Sequence, residues 1–158
     1  MTKEHIYAWV AGLLDGEGSL QIKRQRRCNK VHYQVWITVG MSNKEQNKRA
    51  LDILMREFGG NMCKIRPSGG NRNGAIHWTI VSNQAIAMLN KIQKYMVIKQ
   101  EHTELLIYFQ SLVGEIGKRA KNLEERENVF YEIRKLNTKG RLQLQRLSEK
   151  TPKGEAIV

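Results

Sequence analysis

The sequence predicts an α+β domain: one four-stranded antiparallel sheet with helices on its apolar face. Three observations predict it. Polar and apolar residues alternate with period two in paired segments, each pair is followed by an apolar stripe of helical period, and glycine-bearing turns separate the segments. At 158 residues and 41% apolar content, the chain has the size and core capacity of one ordinary domain.

The elements follow in order. Tyr7 to Leu14 is apolar and helix-compatible, and the glycines of Asp15-Gly16-Glu17-Gly18 are expected to stop that helix in a turn. Ser19 to Lys23 alternates as a strand. A second strand places Tyr33, Val35, Ile37, Val39 and Met41 on one face and Gln34, Trp36, Thr38 and Gly40 on the other. Ser42-Asn43-Lys44-Glu45 has the pattern of a capping box and opens a helix to about Phe58, with Leu51, Leu54, Met55 and Phe58 as its buried stripe. After Gly59-Gly60 comes a hairpin in which Met62, Lys64 and Arg66 alternate with Cys63 and Ile65. Its tip runs from Ser68 to Gly74, and its return strand turns Ile76, Trp78 and Ile80 inward. Ser82 to about Tyr95, Lys99 to Val113 and Leu123 to Leu136 read as further helices. The order is therefore αββαββα plus C-terminal helices. Residues 1–140 are expected to form the domain, and 141–158, charged and containing Pro152 and Gly154, a basic and loosely ordered tail.

Lys and Arg number 27 against 15 Asp and Glu, a formal charge of +12, which attracts a polyanion. Cys28 and Cys63 stand in no disulfide or zinc-ligand spacing. The N-terminus has neither signal-peptide nor transit-peptide character, and no uncharged run is long enough to span a bilayer. No membrane partner is expected, and the chain is expected to act inside the cell, in the compartment where it is made.

The sheet face away from the core is expected to carry Gln21, Lys23, Gln34, Thr38, Lys64, Arg66, His77 and Thr79, without a carboxylate. A solvated face ordinarily mixes both signs. Side chains of this kind, standing at every second residue of a ribbon, suit the major groove of duplex DNA. Gln25 and Trp36 join this set, Trp36 suited to a neighbouring loop or a base-pair methyl group. Arg24, Arg26, Arg27, Lys30, Asn71 and Arg72 are expected in loops that reach phosphates.

Ala8, Gly12 and Gly16 recur every fourth residue, leaving one helix face without bulk. Two such helices side by side would bring two Glu17 carboxylates together, an arrangement that needs cations. Paired acids beside a phosphate-binding surface are what metal-assisted phosphodiester cleavage requires.

Val10 to Gly18, VAGLLDGEG, resembles the signature nonapeptide of the LAGLIDADG homing endonucleases, and the order of elements from Tyr7 to Lys99 is similar to that family's core. One copy of the motif points to the homodimeric branch, joined through the motif helices. The resemblance implies a site-specific endonuclease that cuts both strands of a long pseudo-palindromic DNA site and leaves 3′ overhangs. It also implies Mg²⁺ as cofactor, with Mn²⁺ or Ca²⁺ able to replace it in binding, held by Glu17 and the carbonyl of Gly16. Lys99 matches a basic residue that organises solvent at the scissile phosphate, and Asn43 stands at a catalytic position where relatives often have glutamine. Asp15 matches the other acid of the motif, with a structural role expected at the helix end beside a catalytic one. Asn47 stands where a basic residue is common, and Lys48 or Arg49 could compensate. Intron-RNA maturases and non-catalytic DNA-binding regulators share the motif and are the alternative readings.

Overall fold

The computed structural model describes residues 2–66, 74–113 and 122–138. Arg72, Asn71, the rest of the hairpin tip up to residue 73 and the 141–158 tail fall outside these residues. Helix α1 spans Lys3–Glu17, strand β1 Gly18–Arg27, β2 Lys30–Ser42, helix α2 Glu45–Phe58, β3 Asn61–Ile65, β4 Ala75–Val81, α3 Ser82–Ile92, α4 Gln100–Val113 and α5 Leu123–Thr138. A short 3-10 turn, Gln93–Tyr95, extends α3. The expected αββαββα order with two added helices is what forms. The strands pair antiparallel in the order β1-β2-β4-β3.

Alternation decides the sheet's two faces. Leu20, Ile22, Val35, Ile37, Val39, Ile76, Trp78 and Ile80 all turn inward. Helices α1 and α3 cover them with Val10, Ala11, Leu14, Met88, Leu89 and Ile92, while α4 and α5 add Leu106, Phe109, Val129 and Ile133. Burial of apolar area on this one side is the main source of stability. The buried Trp78 satisfies its indole N–H on the Gly59 carbonyl at 2.8 Å.

Four local expectations are corrected. Helix α1 runs through Gly16 to Glu17, because a glycine weakens a helix without ending it when neighbouring turns are packed. A Cβ at Gly18 would lie 2.6 Å from the Leu14 carbonyl, so the chain can leave α1 for β1 this tightly only at a glycine. The capping box does not form: α2 begins at Glu45 after Lys44, without a side-chain cap, and Ser42 instead closes β2. Met55 of α2 is exposed rather than buried. Finally, Arg24, Arg26, Arg27 and Lys30 lie in strands rather than loops. Cys28 and Asn29, both at positive φ, form a two-residue turn of the kind that matches strand twist and lets both strands extend.

Candidate functional site

Two surfaces meet at the end of α1. One is the bulk-free helix face: Ala8, Gly12 and Gly16 are exposed, and a Cβ at either glycine would meet nothing within 4 Å. The other is the outer sheet face, which begins at Ser19. Glu17 sits at their junction as the last residue of α1. It is exposed, and its carboxylate makes no hydrogen bond or ion pair among the described residues.

The segment before α4 locks this junction. Asp15 accepts the backbone N–H groups of Val97 at 2.8 Å, Ile98 at 3.2 Å and Lys99 at 2.9 Å, a nest that holds an anion. Burial alone would push its pKa up, but the three N–H bonds and the Lys99 charge outweigh it and hold the carboxyl below the ordinary range. In return, Lys99 Nζ donates to the carbonyls of Leu14 at 2.7 Å, Asp15 at 2.8 Å and Gly18 at 2.7 Å. An ammonium has three protons, so this set saturates it. Burial lowers the Lys99 pKa, and the Asp15 and Glu17 carboxylates oppose that fall. The ammonium completes the C-terminus of α1, where orphan carbonyls favour a cation. Asp15 thus takes the structural role expected for it at the helix end, and Lys99, expected to organise solvent, is engaged with it as a reciprocal cap beside Glu17. Gly16, whose carbonyl lies outside the Lys99 set, keeps its place beside Glu17.

Asn43 does not reach this cluster by any hydrogen bond among the described residues. Its backbone N–H bonds the Gly74 carbonyl at 3.2 Å, and its Oδ1 is buried without a partner among the described residues. Asn47 is turned to Ser42, donating to its carbonyl at 3.0 Å and its hydroxyl at 2.9 Å. Lys48 pairs with Glu45 at 3.3 Å, and Arg49 is exposed.

On the outer face the pairing register sets the rows. Gln21 stands opposite Trp36, Lys23 opposite Gln34, Gln25 opposite His32 and Arg27 opposite Lys30. Thr38 stands opposite Thr79 and Gly40 opposite His77, whose ring lies so close over Gly40 that a Cβ there would meet Nε2 at 2.9 Å. The Lys23 ammonium sits 3.4 Å above the Trp36 ring, and the Trp36 indole donates to Thr38 at 2.9 Å. None of the four strands contains an Asp or Glu.

Strand β3 corrects the expected face. Lys64 pairs with the inward Ile76, so Lys64 belongs to the side opposite the outer face, while Arg66 is exposed just beyond the end of β3. The outer-face residues are Asn61 opposite Thr79, Cys63 opposite His77 and Ile65 opposite Ala75. Every β3 residue is exposed, so polarity in this edge strand carries no information about which side faces the helices. His32 and Ser19 were also missed, although the alternation of β1 and β2 places both outward. Arg24 and Arg26 take the inner side of β1, and Arg24 pairs with Glu127 at 3.5 Å.

The profile of the LAGLIDADG endonuclease family matches residues 10–100. No curated protein matches the chain. Among solved structures, the homing endonuclease I-CvuI in complex with its target, in the presence of Ca, superposes with a TM-score of 0.70 at 19% identity, covering 84% of this chain and 82% of that one. The archaeal intron-encoded homing endonuclease I-Vdi141I, complexed with DNA, superposes at 0.68 and 15% identity, covering 85% and 86%. I-SmaMI, bound to an uncleaved DNA target with calcium ions, superposes at 0.63 and 22% identity, and the match spans 46% of its length.

Proposed function

The chain belongs to the LAGLIDADG endonuclease family, and from that premise we propose that it is a site-specific endonuclease that pairs with a second copy of itself and cuts both strands of duplex DNA. The observation that carries the reading is Glu17, exposed and unpartnered among the described residues, at the junction of a bulk-free helix face and a carboxylate-free sheet.

The bulk-free face of α1 is suited to an identical face, which allows closer approach than ordinary helix pairs reach. Val97 and Ile98, 80% and 73% exposed and bonded through their N–H groups to Asp15 at the end of α1, add apolar surface suited to a protein contact. A twofold pair matches a pseudo-palindromic site. Each sheet then presents Gln21, Lys23, Gln25, Arg27, His32, Gln34, Trp36, Thr38, Asn61, Cys63, His77 and Thr79 to the major groove. Amide, imidazole and cationic side chains read base edges there, and the formal charge of +12 per chain draws the protein to phosphate. β1 has ten residues, so at about 3.3 Å per residue it spans roughly 33 Å, close to one turn of B-DNA on each side of the centre.

Among the described residues no three His, Cys, Asp or Glu side chains gather as a metal site. One chain offers the Glu17 carboxylate and the neighbouring Gly16 carbonyl, an all-oxygen set that would hold a hard cation such as Mg²⁺, and a second copy would offer the same pair. Such an ion, when bound, supplies an acidified water and neutralises charge at the cleaved phosphate. The protein's own contribution is placement. Lys99 and Asp15 hold the end of α1, so Glu17 would present a bound cation to the phosphate with little reorganisation.

The test starts from a duplex selected out of a randomised library by the wild-type protein. Glu17→Gln is expected to retain binding to that duplex and lose cleavage of both strands at every Mg²⁺ concentration. A variant that still cuts removes Glu17 from the chemistry, and wild type that binds without cutting places the chain among DNA-binding regulators.

A further inference from the structure

The β1–β2 ribbon extends past the rest of the sheet. Pairing of β2 with β4 covers only Trp36 to Ser42, so from Ile22 to Val35 the ribbon is two-stranded. A lone two-stranded hairpin is marginally stable in water and needs packing against another element to keep its angle. Helices α4 and α5 supply that packing on its inner side.

Tyr33 is the centre of the contact. Its ring centroid lies 5.5 Å from that of Phe130 and 6.3 Å from that of Phe109, edge-on to the latter. Its hydroxyl donates to Glu127 Oε1 at 3.1 Å. Arg24, opposite Tyr33 in register, pairs with the same carboxylate oxygen at 3.5 Å and lies 5.9 Å from the Tyr33 ring. That ion pair is well exposed and contributes little, so the hydroxyl-to-carboxylate bond and the ring packing are the main restraints. Further along α5, Asn137 donates to the Leu20 carbonyl at 2.9 Å on the β1 edge. The ribbon is thus tied to α5 at two levels.

The outer side of this ribbon carries the neighbouring register pairs Lys23 with Gln34 and Gln25 with His32. Side chains point to alternate faces, so the backbone angle set by Tyr33 on one side sets the placement of these four on the other, where Gln34 also donates to the Ser82 hydroxyl at 3.1 Å and Lys23 lies over Trp36. We propose that Tyr33 and Glu127 are positioning residues for base discrimination at the outer end of each half-site, with α5 acting as a splint along the β1–β2 ribbon. Arg24 lies six residues beyond Gly18, roughly 20 Å along the strand, so the affected base pairs begin about six from the centre of the site.

The inference rests on the endonuclease reading and is tested in the full chain with Tyr33→Phe and Glu127→Gln, neither of which removes bulk from the inner packing. Cleavage of a library varied at each position of the selected site is expected to show discrimination reduced roughly fivefold at the outer base pairs. The inner base pairs and the cutting rate on the preferred duplex stay unchanged. Without DNA, backbone amides between Lys23 and Tyr33 are expected to exchange faster with solvent, while those of β4 keep wild-type rates. Unchanged outer discrimination, or equal loss at inner and outer positions, overturns the splint. A wild-type chain that selects no duplex overturns the endonuclease reading and this inference with it, whereas selective wild type with unaltered variants overturns the inference alone.

Discussion

Asp15 holds three backbone N–H groups and Lys99 holds three backbone carbonyls, so each charged side chain completes the exposed end of the other's helix or turn. The consequence is thermodynamic before it is catalytic. Asp15→Asn or Lys99→Met should lower the stability of the metal-free, DNA-free protein by about 1–2 kcal/mol, the scale of a lost cap, measured by denaturant unfolding. The pH dependence has a definite sign. The Asp15 pKa is depressed in the fold, so its stabilisation is fully present at neutral pH and is lost as pH falls below about 4. Asp15→Asn should flatten that acid limb. A Lys99→Met protein with wild-type stability but no cleavage would restore Lys99 to direct chemistry.

At the scale of elements, β3 shows how an edge strand escapes pattern reading. Its alternation is plain in the sequence, but both of its sides are exposed, and only pairing with β4 assigns Asn61 and Cys63 to the outer face and Lys64 to the other. Asn61→Ala and Cys63→Ala should each change base preference at a few neighbouring positions of the site. Lys64→Ala should weaken binding by the same factor on every sequence, as loss of long-range charge does. Base preferences from site selection separate the two, and a shifted preference in Lys64→Ala would reverse the face assignment. Helix α1 illustrates the opposite case. The recurrence of Ala8, Gly12 and Gly16 and the acid at position 17 needed no tertiary information to be noticed, and the structure leaves that face open.

For the whole molecule, the decisive quantity is the number of chains. One chain of 18.3 kDa brings one motif carboxylate unpartnered among the described residues and one carboxylate-free sheet face, which on the proposed reading serves half a site. Gly12→Leu should fold at least as well as wild type, because an added Cβ meets nothing within 4 Å and leucine favours helix over glycine by roughly 1 kcal/mol. It should also sediment as a single chain and lose double-strand cleavage. A stable pair in Gly12→Leu would show that α1 is not where two chains meet. Among the described residues no helix is long and apolar enough to cross a membrane.

The sequence by itself determined the α+β class, the order of elements, the apolar side of the sheet, the basic charge and the motif end at Glu17. All of these follow from periodicity and residue type, which are local properties. Tertiary structure decided which candidates are available for chemistry. Asp15 and Lys99 became mutual caps because the segment at 97–99, some eighty positions away in the chain, packs against the end of α1. Arg24 was drawn to Glu127, and Lys64 was turned from the outer face, for the same reason: register and helix docking are long-range pairings, and no local pattern encodes which partner a side chain will meet.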